Sequence, residues 1–301
     1  MLKRLIDVQT FLGSNPAFGI ESKVQGFEQR QAELRRQGYE ARFIVMPAGV
    51  EANATLVQTV YERPDLFLGG VLQINSNPSI PEIGYTSVSE IEQLVQREEV
   101  LGLKLNNWCF TRTRLTDDSL KPYLALAQHL NLPVTIHCGK AGKDYDSVSM
   151  VEMILTEFPT LKIVCANGGG WKEPYPSEYA AFAQKHIGQV WIHLAGVTGE
   201  DAQIQCGLPV TIRRAEPNRS HWEVYLIREG PRIHQQLLWA SDFPHLQSPT
   251  LEPVTRLPSA FTARILYKNT LQCYVGTPHL TAEKVERCFS STNARLATLT
   301  G

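Results

Sequence analysis

Eight short β-rich runs, separated by segments of helical character, restrict the folds open to this chain. The runs are "RLIDVQTF" (4–11), "ARFIVMP" (41–47), "LFLGGVLQI" (66–74), "VLGLKL" (100–105), "LPVTIHC" (132–138), "LKIVCAN" (161–167), "QVWIHLAG" (189–196) and "QQLLWASD" (235–242). Most are almost continuously apolar rather than alternating, the pattern of strands covered on both faces. Between them, "VQGFEQRQAELRRQG" spaces apolar residues along a charged background and ends on Gly38, a helix stop. "TDDSLKPYLALAQHLN" opens on Thr116 and two aspartates, which suit a helix N-terminus, then places Leu120, Leu124, Ala127 and Leu130 at three-to-four spacing. "SVSMVEMILTEFP" does the same with Val148, Val151, Ile154 and Leu155 before Pro159. Strands alternating with helices predict an α/β fold of the (β/α)8 TIM-barrel kind, one domain over residues 1–301. A doubly wound open sheet is the alternative.

The chain is 43% hydrophobic and 20% charged with a formal net charge of −1, so no balance toward nucleic-acid binding is present. The basic pairs Arg35–Arg36 and Arg213–Arg214 are isolated. No apolar run approaches the roughly 18 residues that span a bilayer, so no membrane partner is expected. The opening "MLKRLIDVQTF" lacks the apolar stretch and cleavage site of a secretory leader. Six cysteines (Cys109, Cys138, Cys165, Cys206, Cys273 and Cys288) show no paired spacing, which favours reduced, buried thiols and a cytoplasmic location. A small molecule is the expected partner; homodimers are common in such barrels, but no interface is marked.

In a (β/α) barrel the chemistry gathers where strands end. The polar or unusual residues at those ends are Gln9 and Phe11, Lys104, His137, Asn167, His193 and Asp242. Alternation places Gln9 and Phe11 on one side of their strand, Cys165 on the side of Asn167, and Cys138 opposite His137. "NGGGWKEPYP" (167–176) follows the sixth run, and Trp171 there offers an aromatic wall. Arg213, after the seventh run, is a candidate clamp for an anionic substrate, with a surface helix as the alternative.

Several stretches resemble the amidohydrolase superfamily in its amidohydrolase-2 branch. "LKPYLALAQHLNLPVTIHCG" (120–139) is similar to that branch's helix and fifth strand, ending at His137. "LTEFPTLKIVCANGGG" (155–170) is similar to its sixth-strand segment, with Asn167 in place of a histidine. "LLWASDFPH" (237–245) resembles its eighth strand and places the family aspartate at Asp242; "FSSTNARLATL" (289–299) resembles its terminal helix. The resemblance implies a metal held at the positions of Gln9, Phe11, His137, Asn167 and Asp242, and three of those have changed. Phe11 cannot ligate, and the two carboxamides offer only neutral oxygens, whereas a transition-metal site is normally built from at least three imidazole, thiolate or carboxylate ligands. No tightly bound metal or other cofactor is therefore expected. A rearranged site drawing on His137, Asp242 and His193, or on Asp242 and His245, keeps a weakly bound zinc or manganese open. The alternatives are a core histidine at 193 and a loop-bracing one at 245.

A metal lowers the pKa of bound water from about 15.7 to about 7, an activation worth at most about 11 kcal/mol. A positioned general base restores only about 10²–10⁴-fold. Hydrolysis of an unactivated amide is thus hard to support, whereas a lactone or activated ester supplies its own electrophile. The resemblance points the same way, since the branch includes a pyrone-dicarboxylate lactonase that works without a metal. The expected function is hydrolysis of a small, anionic carbonyl compound, with decarboxylation as a variant. Asp242 is then general base, His137 the acid/base partner and Lys104 the cation for a developing oxyanion or substrate carboxylate. Gln9, Phe11, Asn167, Trp171, His193, His245 and Arg213 are the substrate-facing candidates. The competing expectations are a catalytically inactive barrel that binds a metabolite or protein, and a mononuclear metal hydrolase with a rearranged site.

Overall fold

The computed structural model describes residues 2–15, 20–48, 52–77, 85–105, 113–138, 147–169, 175–194, 233–241, 251–255, 257–274 and 276–299. Among them, nine strands form one sheet in chain order, except that β2 lies outside β1. The strands are β1 (Lys3–Asn15), β2 (Ile20–Ser22), β3 (Tyr39–Pro47), β4 (Phe67–Ile74), β5 (Val100–Leu105), β6 (Val134–Ile136), β7 (Ile163–Cys165), β8 (Val190–His193) and β9 (Leu237–Leu238). β2 pairs antiparallel with the end of β1, and every other pairing is parallel. The helices are α1 (Val24–Arg36), α2 (Asn53–Glu62), α3 (Val88–Leu94), α4 (Lys121–His129), α5 (Val148–Glu157), α6 (Tyr175–Lys185), α7 (Glu252–Thr255), α8 (Ser259–Ala263), α9 (Asn269–Tyr274) and α10 (Ala282–Leu299), with a π-helical turn at Arg264–Lys268 joining α8 to α9.

The curled sheet closes on itself. Val8 N–H donates to the Trp239 carbonyl at 3.0 Å, and Ser241 N–H donates to Asp7 Oδ1 at 2.8 Å, joining β1 to the segment after β9. This is the (β/α)8 barrel that the alternating runs predict.

Two apolar layers hold it. Leu5, Phe43, Leu103, Ile136 and Ile163 face outward and pack on residues of the surrounding helices such as Phe27, Leu56, Leu124 and Ile154. Ile6, Val8, Ile44, Met46, Leu101 and Val164 face inward and meet Val285, Cys288 and Phe289 of α10, which caps the N-terminal end of the barrel. Arg42, fully buried, fixes that cap by donating from Nε to the Cys288 carbonyl at 2.9 Å. Gly102 lets β5 approach β6, since a Cβ there would lie 2.7 Å from the Pro133 carbonyl oxygen. The helix expected from Thr116 begins later: Asp117 caps a short 3₁₀ turn at Asp118–Leu120, and Pro122 then opens α4.

Candidate active site

The site begins with an irregularity in β1. Its pairing with β3 slips between Asp7 and Thr10, where three residues of β1 span two of β3. A bulge of this kind re-aims side chains. Val8 packs in the inner layer, yet the next residue, Gln9, also reaches the interior, where its Oε1 accepts a hydrogen bond from Lys104 Nζ at 2.8 Å. Lys104, near the end of β5, is 2% exposed; its ammonium lies 3.3 Å from Met46 Sδ and 5.2 Å from the centre of the Phe11 ring. Gln9, Phe11 and Lys104 therefore form one group, with the ring face turned to a cation.

A second group comes from the next strands. Asn167 Nδ2 lies 3.3 Å from His137 Nδ1 and 3.4 Å from Nε2. Near-equal distances to both ring nitrogens place the amide against the face of the imidazole rather than in line with one lone pair. Asn167 adopts a left-handed conformation (φ 55°) and Gly168 continues it (φ 64°). Outside glycine, asparagine is among the residues that best tolerate that region. The turn corrects one expectation. Cys165 packs in the outer layer, as Cys138 does, and is not on the side of Asn167, because strand alternation stops at Cys165.

His193, at the end of β8, joins the two groups. Its imidazole is fully buried, and burial, the Lys104 charge and His137 together hold its pKa well below the ordinary histidine range. It is a neutral ring at physiological pH. Of the remaining candidates, Asp242, Trp171, His245 and Arg213 lie outside the described residues.

Two contributors escaped the sequence reading. Met46, an apolar residue in a β run, supplies the sulfur beside Lys104. Gln73 stands in register with Lys104 on β4 and braces the rim, donating from Nε2 to the Pro47 carbonyl at 2.5 Å. Its own backbone is held by Asn53, whose carboxamide bonds both the N–H and the C=O of Gln73 at 2.9 Å. A glutamine inside an otherwise apolar run was the available signal.

The donor set does not fit the metal that the five family positions imply. The Gln9 oxygen already accepts from an ammonium 2.8 Å away, which repels a divalent cation at that ligand atom. Phe11 has no donor, and Asn167 is engaged with His137. Among the described residues, no three His, Cys, Asp or Glu side chains are grouped to hold an ion. What the arrangement offers is a fixed buried cation beside a neutral imidazole and two carboxamides, suited to stabilising a negatively charged oxygen.

Asp7 stands behind this site. It is fully buried, its Oδ2 has no hydrogen-bond partner among the described residues, and burial raises its pKa to about 6, against the Ser241 hydrogen bond that lowers it. The folded protein therefore holds the Asp7 proton more tightly than the unfolded chain. The stability this contributes is present below the ordinary value of 3.8 and is lost as pH rises through about 6. Asp7→Asn keeps an acceptor for Ser241 without the charge. By urea denaturation, the variant should match wild type near pH 4 and exceed it by about 2–3 kcal/mol near pH 7.5. Parallel stability curves for the two proteins would remove this role.

The amidohydrolase family model matches residues 16–274, starting just beyond the altered first strand. A search of curated proteins finds no significant match. Among solved structures, a probable 2-pyrone-4,6-dicarboxylic acid hydrolase from Acinetobacter baumannii, with citric acid bound, superposes with a TM-score of 0.59 at 17% identity, covering 90% of this chain and 98% of that one. A 4-oxalomesaconate hydratase from Rhodopseudomonas palustris gives 0.57 at 14% identity, covering 96% and 99%. An uncharacterized TIM-barrel protein from Bordetella bronchiseptica gives 0.57 at 16%, covering 90% and 99%. Among the described residues, no helix is long and apolar enough to cross a membrane. Family membership supports enzymatic chemistry of the hydrolase type. With the model spanning most of its length and the barrel closed as described, the chain belongs to the amidohydrolase superfamily, in its amidohydrolase-2 branch.

Proposed function

We propose that this barrel hydrolyses a small anionic lactone or activated ester without a resident metal. The observation that carries the reading is Lys104: a buried ammonium, fixed on Gln9, at strand ends where the sequence resemblance implies a metal cation. A lysine there supplies positive charge to an oxyanion or a substrate carboxylate without needing ligands. Neutral His193 and the Asn167 amide orient the carbonyl compound beside it. In this reading Asp242 takes the proton from the attacking water, and His137 returns a proton to the leaving oxygen. The solved structure similar to this chain whose name is that of a pyrone-dicarboxylic acid hydrolase, and which holds citric acid, suits the same substrate class.

The test uses chelator-treated protein against pyrone carboxylates, lactone carboxylates and p-nitrophenyl acetate. Turnover should survive chelation and fall at least about 100-fold in Asp242→Asn. Activity that disappears with chelator and returns with zinc or manganese would establish a rearranged metal site instead. No turnover on any member, with saturable binding of one, would make the protein a metabolite-binding barrel.

A further inference from the structure

A cavity of about 440 Å³ opens at the other end of the barrel from the candidate site, where the N-terminal ends of β1 and β3 meet α8 and the π-helical turn. Its size falls within the usual range of small-ligand pockets. Leu257, Leu266 and Tyr267 supply an apolar wall, and Lys3, Tyr39 and Lys268 supply the polar groups. Among the described residues, no carboxylate lines it. Arg4 also borders the cavity, but its charge is committed: both guanidinium ends bond Glu286, one at 2.7 Å, and Nη1 donates to the Tyr267 hydroxyl at 3.1 Å. Lys3 and Lys268 make no ion pair among the described residues, and the Lys3 ammonium rests 5.9 Å from the Tyr39 ring. Tyr39 itself is 6% exposed, and its hydroxyl has no hydrogen-bond partner among the described residues.

A largely buried tyrosine, two exposed ammonium groups that make no ion pair among the described residues, and an apolar wall are complementary to one kind of molecule. We propose that this cavity binds a small organic oxyanion, a carboxylate or phosphate head group on an apolar body. Tyr39 donates its O–H to the head group, Lys3 and Lys268 balance the charge, and the body lies along Leu257, Leu266 and the Tyr267 ring. The π turn strengthens the reading, because single π turns within helices concentrate at functional sites. The same turn accepts the Trp239 N–H on the Ile265 carbonyl at 3.1 Å, so an occupant would press on an element bonded to the strand that leads to Asp242.

Isothermal titration with benzoate and with phenyl phosphate tests this and separates the two head groups. One molecule per chain should bind with a dissociation constant near 1 mM, about −4 kcal/mol. The double change Lys3→Gln/Lys268→Gln should weaken binding about tenfold. Tyr39→Phe, which removes a hydroxyl that holds nothing in the fold, should weaken it about threefold to tenfold. Lys104→Met, at the other end of the barrel, should leave the affinity unchanged. Inorganic phosphate should bind at least about tenfold more weakly than phenyl phosphate, since it lacks the apolar body. No saturable binding of either probe up to about 20 mM, an affinity indifferent to the cavity variants, or one lost in Lys104→Met would overturn the proposal. Equal binding of inorganic and phenyl phosphate would overturn the apolar half of it. Because the readout is binding away from the barrel mouth, failure here leaves the lactonase reading untouched, and the reverse also holds.

Discussion

Lys104→Met is expected to lower kcat/KM for lactone hydrolysis by about 10²–10³-fold while leaving the barrel folded. Methionine matches the lysine stem in length and is apolar, so it occupies the space against Met46 and Phe11 without a buried charge. The variant takes away the ammonium that bonds the buried Gln9 Oε1, a loss of about 1–3 kcal/mol, so thermal melting should show a modest decrease with a single cooperative transition retained. A readout independent of turnover comes from His193. The Lys104 charge is one cause of its depressed pKa, so NMR titration of the variant should show the imidazole protonating at a higher pH than in wild type. Lys104→Arg, which keeps the charge but alters its geometry, should recover part of the activity. Unchanged activity in Lys104→Met would remove the cation from the mechanism, whatever happens to His193.

Trp239→Ala carries the largest expected cost in stability. Trp239 is fully buried, heads the largest buried side chains, and stands between β9 and the π turn. Truncation should cost about 3–5 kcal/mol, lowering Tm by about 10 °C at the roughly 2–4 °C per kcal/mol of a chain this long. Trp239→Phe is the informative partner. The indole N–H has no hydrogen-bond partner among the described residues, so the smaller ring gives up packing but no polar contact. Its expected cost is below about 2 kcal/mol. Equal costs for the two variants, measured by denaturant unfolding, would show that packing volume is not what Trp239 supplies.

The barrel was legible because its evidence is local. Runs such as 66–74 and 100–105 coincide closely with β4 and β5, since continuous apolar stretches bounded by turns leave little choice. Later runs shrink: 235–242 becomes the two-residue β9, because flanking residues such as Ser241 bond to a side chain instead of a neighbouring strand. The site was legible only as a set of strand ends. Gln9 and Lys104 are 95 positions apart, and no spacing rule joins them. The bulge in β1 depends on what β3 offers across the gap, so alternation alone could not place Gln9 beside an inward Val8. Alternation also failed at Asn167, where a left-handed residue ends the strand geometry on which the rule rests. Asp7 was passed over because one acidic residue in an apolar run resembles any polar strand residue; its burial and its Ser241 bond are tertiary facts.

The closure of the barrel bears on how the molecule moves. β1 pairs with β3 along most of its length, but among the described residues β1 meets the β9 segment through one backbone bond and one carboxylate–amide bond. Local opening starts where few bonds must break together, which makes this seam the wall's natural gate. Gln9 follows the β1 edge of the gate, so the strand that carries the acceptor of the Lys104 ammonium forms one lip of the joint. Each excursion of the seam would shift the acceptor of the Lys104 ammonium and each return would restore it, linking the setting of that buried cation to the fraction of time the cylinder stays shut.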